Sequence, residues 1–278
     1  EALFSDINLT MDDITAIAVT YGPGLIGSLL VGLQIAKTLA FVYQKPLVPV
    51  HHIAGHIYAN NLEHELKFPL IALVVSGGHT DLIYMKNHFD FVKIGGTLDD
   101  AVGECYDKVA RVMGIPYPGG PLVDKLAHTG KHTYELPLPL DDDTYNFSFS
   151  GIKSAVINLV HNKNQKGEEI NVADLATTFQ DNVVKVITKK TLRAIKEYNV
   201  KSLIVCGGVA ANKGLREEFA RLLKNTDIDF CVPRISYCTD NAAMIGAAGY
   251  YAYKKGIRAD MSLNAKAVDS LYDYIKNM

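Results

Sequence analysis

The sequence has few cysteines and no long apolar run, and both absences narrow the classes of protein it can represent. Its four cysteines form no CxxC pair, which excludes a zinc ribbon and a dithiol redox motif. Reduced thiols in a cytoplasmic protein are the simplest interpretation. No apolar stretch approaches the roughly 20 residues that a membrane-spanning helix needs. The first residues carry neither the basic nor the apolar region of a secretory signal peptide.

An excess of charge of either sign is also missing. The 278 residues contain 28 Lys and Arg against 30 Asp and Glu, a formal net charge of -2. This balance excludes nucleic-acid binding driven by overall charge and leaves a local basic patch open. The apolar fraction of 48% and the charged fraction of 21% are those of a globular protein. The length suits one large domain or two modest ones.

Apolar β-branched runs alternate with segments of helical periodicity, which predicts an α/β fold. Strands are expected at 14–20, 47–50, 69–76, 80–85, 202–206 and 228–232, and helices at 25–43, 51–62, 99–113, 149–161, 172–198, 212–224 and 241–255. A capping box formed by Thr97 and Asp100 is expected at the start of the third helix. Residues 115–120 and 131–148 are predicted to be loops. The runs 70–78 and 202–208 are both strands that end in a glycine pair, which indicates a duplicated domain.

Two glycine-rich nucleotide motifs are excluded. Gly22–Gly27 satisfies GxGxxG between a predicted strand and a predicted helix, the setting of a dinucleotide fingerprint. That fingerprint needs an acidic residue roughly 20 positions later, and residues 28–62 contain neither Asp nor Glu. The motif is therefore interpreted as a tight turn into a closely packed helix, whose amides could still face a ligand. No GxxxxGK[ST] occurs, which excludes a P-loop.

Two histidines have the spacing of metal ligands. His52 and His56 lie four residues apart, so a helix would place both imidazoles on one face. Ile53 stands where a zincin protease has its glutamate, so the protease base is missing. The best third ligand is Asp240, whose alternative role is to cap the helix that follows. Two histidines and one carboxylate suit Fe(II) or Zn(II).

Several polar residues admit both a structural and a binding role. The Ser76–His79 turn follows a predicted strand, and its glycines would let free amides approach a carboxylate or an anion. Asp107 shares a helix face with basic residues, so surface ion pairing is its default role. Asp124 and Asn212 could cap helices or bind a ligand. A basic stripe on the helix at 172–198 could be a solvated face or could contact phosphates: Lys185, Lys189, Lys190, Arg193 and Lys196.

Eight segments occur in order along the chain and together resemble one known family. They are His52–His56, Val75–Thr80, Asp99–Glu104, Tyr106–Arg111, Tyr117–Pro121, Phe147–Ser154, Gly207–Asn212 and Thr239–Met244. From Ile14 to Gly256 the chain is similar to the bacterial TsaD family, tRNA N6-adenosine threonylcarbamoyltransferases long mislabelled as glycoprotein endopeptidases.

The resemblance implies an actin-like ASKHA fold, shared by sugar kinases and heat-shock ATPases, with two duplicated α/β halves around a central cleft. It implies transfer of a threonylcarbamoyl group from threonylcarbamoyl-AMP to N6 of adenosine 37 in tRNAs that read ANN codons. It also implies two protein partners: a degenerate paralogous (TsaB-like) subunit and a small P-loop (TsaE-like) ATPase.

The family's functional positions map onto this chain by motif. Its metal ligands map to His52, His56 and Asp240, with one Fe(2+) favoured over Zn(2+). Its donor-binding positions map to Val75, Ser76, Gly77, Gly78, His79, Asp107, Gly120, Asp124 and Asn212. No residue is assigned as a general base, because the adenylate is a good leaving group.

The resemblance also predicts how the chain is divided. Residues 1–98 are expected to form an N-terminal half that lacks its first strands and phosphate loop. Residues 99–240 are expected to form the C-terminal half with a helical insertion, and 241–278 to be helices that pack back on the first half. Two alternatives remain: a non-catalytic nucleotide-binding scaffold of the same fold and, less favoured, a metallopeptidase.

Overall fold

The structure, a computed structural model, describes residues 4, 6 and 8–274 and divides into two compact units. Unit 1 comprises Glu1–Leu62 and Asp240–Met278, and unit 2 comprises Glu63–Thr239. The sequence analysis places domain boundaries after residues 98 and 240, on the basis of two duplicated halves. These boundaries stay a prediction.

Unit 1 is built around a parallel pair of strands. Strand β1 (Ile17–Gly22) pairs with β2 (Leu47–His51), and the crossover that a parallel pair requires is helix α1 (Ile26–Val42). Helix α2 (His52–Ala59) follows β2 directly and runs into a 3-10 turn at Asn60–Leu62. A 3-10 turn also precedes β1, at Met11–Asp13.

The two faces of α1 differ in burial. Leu33, Ala36 and Ala40 are buried in the core of unit 1 at helical spacing. On other faces of the helix, Val31 is 65% exposed and Phe41 is 66% exposed. The helix is therefore apolar around most of its circumference, although it packs through one stripe.

Unit 2 contains a five-stranded mixed sheet in the order β5-β4-β3-β6-β7. Its strands are β3 (Leu70–Val75), β4 (Thr80–Met85), β5 (Phe91–Gly96), β6 (Ser202–Cys206) and β7 (Asp229–Cys231). Its helices are α3 (Val102–Val112), α4 (Gly119–Ala127), α5 (Ser150–Lys166), α6 (Val172–Glu197), α7 (Lys213–Leu223) and α8 (Ile235–Cys238), with a 3-10 turn at Gly208–Ala211. Helix α9 (Ala242–Lys254), the last helix among residues 8–274, belongs to unit 1 and packs against α2.

The two strands that end in glycine pairs are neighbours in this sheet. β3 and β6 are parallel, with Val74 opposite Cys206, so both glycine pairs leave the same edge. Gly207 has φ +93°, and a Cβ on it would lie 2.4 Å from the Val75 carbonyl oxygen. Only glycine permits this approach of the two chain segments.

Most predicted elements are confirmed, including the hairpin with a glycine-rich turn, in which Val75 pairs with Thr80. Two expectations are wrong, and one strand, β5, was not predicted. Helix α4 begins inside the predicted loop 115–120. The capping box is absent, because α3 begins at Val102 and the Asp100 carboxylate instead pairs with Lys108 and Lys153.

Within the described part of the chain, no helix combines the length and the apolar character that crossing a membrane requires.

Candidate metal site and candidate binding cavity

The three predicted metal ligands come together in unit 1. Nε2 of His52 lies 3.5 Å from Oδ1 of Asp240, and Nε2 of His56 lies 3.2 Å from the same oxygen. One ligand atom from each residue falls within 4.8 Å of the other two. Among the described residues, no other group of three His, Cys, Asp or Glu side chains meets this condition.

Local structure explains this convergence. The His51 side chain accepts a hydrogen bond from the Ile53 amide and caps α2, so His52 and His56 follow on adjacent turns. At α9 the cap is Asn241, whose Oδ1 accepts from the Met244 amide. The alternative role of Asp240 as the helix cap is therefore wrong.

The electrostatics of the site favour a cation. The hydrogen bond from His56 holds the pKa of the Asp240 carboxyl below its usual value, although burial opposes the shift. The carboxylate is thus ionised at neutral pH. His56 is buried, and its Nδ1 has no hydrogen-bond partner among the described residues. Two imidazoles and one carboxylate at this spacing fit a divalent transition metal.

The predicted glycine turn lies beside these ligands. Pro23, Gly24 and Ser28 line a cavity of about 650 Å³ together with His52 and Asp240, all within unit 1. The Gly24 amide donates to the Ala267 carbonyl, so this amide is already engaged.

Five of the predicted donor-binding positions meet at a second cavity, in unit 2. This cavity has a volume of about 390 Å³, within the range of small-molecule sites. The five positions on its wall are Gly77, Asp107, Gly120, Asp124 and Asn212. Val75, at the end of β3, is buried.

The Ser76–His79 turn is closed by its own hydrogen bonds. Ser76 Oγ accepts from the Gly78 amide at 3.3 Å and from the His79 amide at 3.0 Å, and the Ser76 amide donates to the His79 carbonyl. The expectation of free amides is therefore wrong for Gly78 and His79.

Three polar residues on the cavity wall also hold helix N-termini. Asp107 Oδ1 accepts from the amides of Gly119 and Gly120, where α4 begins. Asp124 accepts from the amides of Lys213 and Gly214 at the start of α7, and Asn212 Oδ1 accepts from Leu215. The capping roles left open for Asp124 and Asn212 are thus real, and both residues still face the cavity.

One residue that the sequence did not single out connects this wall. Gln180, on α6, is hydrogen-bonded to Asp124, Asn212 and Tyr106. A single glutamine within a helical pattern carries no signal from which this contact could have been predicted.

The basic stripe on α6 is largely paired within unit 2. Lys189 binds Asp141, and Lys190, which is 1% exposed, binds Asp142. Arg193 donates to the Thr144 carbonyl and lies over the Tyr145 ring. The interpretation of the stripe as a solvated helix face is therefore wrong for Lys190, because loop 131–148 covers this side chain.

Comparison with solved structures identifies the class of fold. The chain superposes on full-length HypF in its phosphate- and nucleotide-bound form with a TM-score of 0.60 at 16% identity, covering 81% of this chain and 38% of HypF. For HypF from T. kodakarensis the TM-score is 0.60 at 15% identity, with 84% and 40% covered. The chain has the α/β architecture of the actin-like ASKHA proteins.

Sequence comparison identifies the family. The model of TsaD, tRNA N6-adenosine threonylcarbamoyltransferase, matches residues 1–247. A protein of that name from Staphylococcus saprophyticus is 63% identical over 265 residues, which are 95% of this chain and 77% of the relative. One from Staphylococcus aureus strain Newman is 59% identical over 275 residues, 99% of this chain and 80% of the relative. The chain belongs to the TsaD family and is a transferase.

Proposed function

We propose that this chain transfers a threonylcarbamoyl group from threonylcarbamoyl-AMP to N6 of adenosine 37 in tRNAs that read ANN codons. The family supports the reaction class. The observation that carries the proposal for this chain is the cavity of about 390 Å³, whose wall contains Asp107, Gly120, Asp124 and Asn212. These are positions at which the family motif predicts donor binding.

The cavity suits the adenylate part of the donor. Asp107 accepts two backbone amides, and Asp124 accepts two backbone amides and the Gln180 side chain. A carboxylate has about four lone-pair sites, so each retains capacity for a ribose hydroxyl. Gly77 and Gly120 present backbone without a side chain at the wall. The proposed donor-binding set also includes residues at the end of β3 and in the turn that follows it: Val75, Ser76, Gly78 and His79.

His52, His56 and Asp240 would hold one divalent ion, with Fe(2+) favoured over Zn(2+) because two histidines and a carboxylate are typical of non-haem Fe(II) sites. When bound, the ion supplies Lewis-acid polarisation and orientation of the threonylcarbamoyl group. Ionised Asp240 contributes the negative charge of the site.

The proposed transfer is a displacement at the carbamoyl carbon. The adenine N6 forms a new N–C bond, the bond to the AMP phosphate oxygen breaks, and AMP leaves. The amine loses one proton to solvent, and no side chain is assigned as the general base. The Gly78 and His79 amides donate to Ser76 Oγ, so we assign these two amides the role of stabilising the turn.

The setting of this reaction is the cytoplasm, and the partners are those of the family resemblance. We propose a paralogous TsaB-like subunit and a small TsaE-like P-loop ATPase, with tRNA as the acceptor.

The test is transfer of labelled threonine into unmodified tRNA. The reaction contains the chain, both partners, ATP, bicarbonate and the enzyme that forms the adenylate. We expect label in tRNA that depends on the chain, and none in a tRNA whose adenosine 37 is replaced. Chain-independent labelling, or no labelling by metal-loaded protein, would contradict the proposal and favour a non-catalytic scaffold.

A further inference from the structure

One buried amide contacts three side chains around the cavity of unit 2. Gln180 Nε2 donates to Asp124 Oδ1 at 2.9 Å. Gln180 Oε1 accepts from Asn212 Nδ2 at 2.9 Å and from the Tyr106 hydroxyl at 3.2 Å. Gln180 is 4% exposed and Asn212 is 8% exposed, so these bonds are shielded from water. Asp124, Asn212 and Tyr106 all line the cavity, whereas Gln180 lies behind them.

The surrounding packing leaves this amide little freedom. A Cβ on Gly214 would lie 2.5 Å from Gln180 Nε2, so the absence of a side chain at residue 214 makes room for the amide. The neighbouring Phe179 packs edge-on against Tyr106, with ring centroids 4.9 Å apart. Burial also raises the pKa of Tyr106 well above its usual value, so the hydroxyl stays a donor.

The pattern of donors and acceptors requires an amide. Asp124 needs a donor, whereas Asn212 Nδ2 and the Tyr106 hydroxyl need an acceptor, and one glutamine side chain offers both. Because Asn212 Nδ2 donates to Gln180 Oε1, the side-chain oxygen Oδ1 of Asn212 points towards the Leu215 amide and accepts from it. An ionised glutamate would face Asp124 with a second negative charge. A methionine would remove one donor from Asp124 and the acceptor that Gln180 provides to Asn212 Nδ2 and the Tyr106 hydroxyl.

We propose that Gln180 is a positioning residue for donor binding, fixing the side chains of Asp124 and Asn212 on the cavity wall. The proposal rests on the proposed function, in which the cavity binds the adenylate. It assigns Gln180 no contact with the reacting atoms.

The first experiment compares Gln180→Met with a matched control on the same helix. Asn182 is also a buried amide, and its Nδ2 donates to the carbonyls of Leu136 and Pro137, away from the cavity. Calorimetry with AMP as the probe should show a dissociation constant raised about tenfold in Gln180→Met and unchanged in Asn182→Leu. In the transfer assay, KM for the adenylate should rise by a similar factor while kcat changes little.

The second experiment uses the isosteric Gln180→Glu, which also serves if Gln180→Met does not fold. In this variant a protonated carboxyl at position 180 can donate to Asp124, so AMP affinity should recover towards wild type as the pH falls and be lost as it rises. The titratable and charged groups that bond to Gln180 or line the same cavity as it are Asp124, Tyr106, His128, Asp181, Lys185, Glu217, Glu218 and Arg221. Wild-type protein carries the same groups and provides the reference pH profile.

Three outcomes would overturn the proposal: AMP affinity in Gln180→Met equal to that in Asn182→Leu, a pH profile of Gln180→Glu parallel to wild type, or no AMP binding by wild type. Weakened AMP binding combined with no transfer to tRNA by wild type would support the role of Gln180 and contradict the proposed function.

Discussion

The two units differ in whether the candidate binding residues also cap helices. In unit 2, Asp107, Asp124 and Asn212 line the cavity and also hold the first turns of α4 and α7. In unit 1, the capping is done by His51 and Asn241, the immediate neighbours of His52 and Asp240. Candidate binding groups are therefore part of the folding framework in unit 2 and adjacent to it in unit 1.

This difference has a consequence for mutagenesis. Removing a metal-ligand candidate in unit 1 should affect function with little cost in stability. Removing a cavity residue in unit 2 should affect both, so lost activity there needs a stability measurement beside it.

The largest effect is expected for His52→Ala. Loss of one of three ligands should abolish stoichiometric metal binding and reduce transfer at least about a hundredfold, because Lewis-acid stabilisation is worth several kcal/mol. Elemental analysis and the transfer assay measure the two effects. The exposed His64 offers a control, and His64→Ala should keep both properties. Full activity in metal-free His52→Ala would remove the metal from the mechanism.

The next prediction compares the loss of stability caused by one substitution in each unit. Asp124→Ala removes bonds to two α7 amides and to Gln180, and should lower the free energy of unfolding by about 1–3 kcal/mol. Asp240→Ala, measured by urea denaturation in a chelator, should stay within about 0.5 kcal/mol of wild type. Equal destabilisation by both variants would contradict the difference between the two units described above.

A pH-dependent prediction concerns the buried ammonium of unit 2. The hydrogen bond from Lys190 lowers the pKa of Asp142 from 3.8 to about 2. Because the folded pKa is the lower one, this stabilisation is complete above pH 3.8 and is lost as the pH falls through about 2. Asp142→Asn should be less stable than wild type at neutral pH, and the difference should shrink over that acid range. Urea midpoints at several pH values test this, with exposed Asp143→Asn as the control; a constant difference would contradict it.

The smallest effect is expected on the exposed face of α1. Val31→Ser should change the free energy of unfolding by less than about 0.5 kcal/mol, because the side chain is 65% exposed. Thermal and urea unfolding measure this. A cost above about 1 kcal/mol would show that another part of the folded protein covers this face.

The sequence predicted those elements whose stability comes from their own pattern. Long periodic runs such as α6 and short apolar runs such as β3 were located within one or two residues. Strand β5 was missed because Lys93, Gly95 and Gly96 interrupt its apolar pattern. Helix α4 was missed because it begins with Gly-Gly-Pro, and its first amides are held by Asp107 from a neighbouring helix. Such a contact cannot be predicted from local pattern.

The candidate site divides in the same way. The spacing of His52 and His56 predicts their shared helix face. Asp240 was the best candidate for the third ligand, and the family resemblance maps a metal ligand to the same residue. The Ser76 Oγ contacts to the Gly78 and His79 amides are local turn contacts that serine favours, but the sequence analysis did not consider them. Nothing local predicts that Gln180 connects Asp124 to Asn212. The Gln180 contacts join residues that lie 56 and 32 positions apart in the chain, whereas the Ser76 contacts lie within one turn and compete with a ligand for the same amides.

The discontinuity of unit 1 also sets an order of events during protein synthesis. The ribosome makes His52 and His56 first, then all of Glu63–Thr239, and only afterwards Asp240. Every residue that lines the cavity of unit 2 precedes Asp240 in the chain. A nascent chain that stalls before residue 240 would therefore contain all of unit 2 and only two of the three metal-ligand candidates.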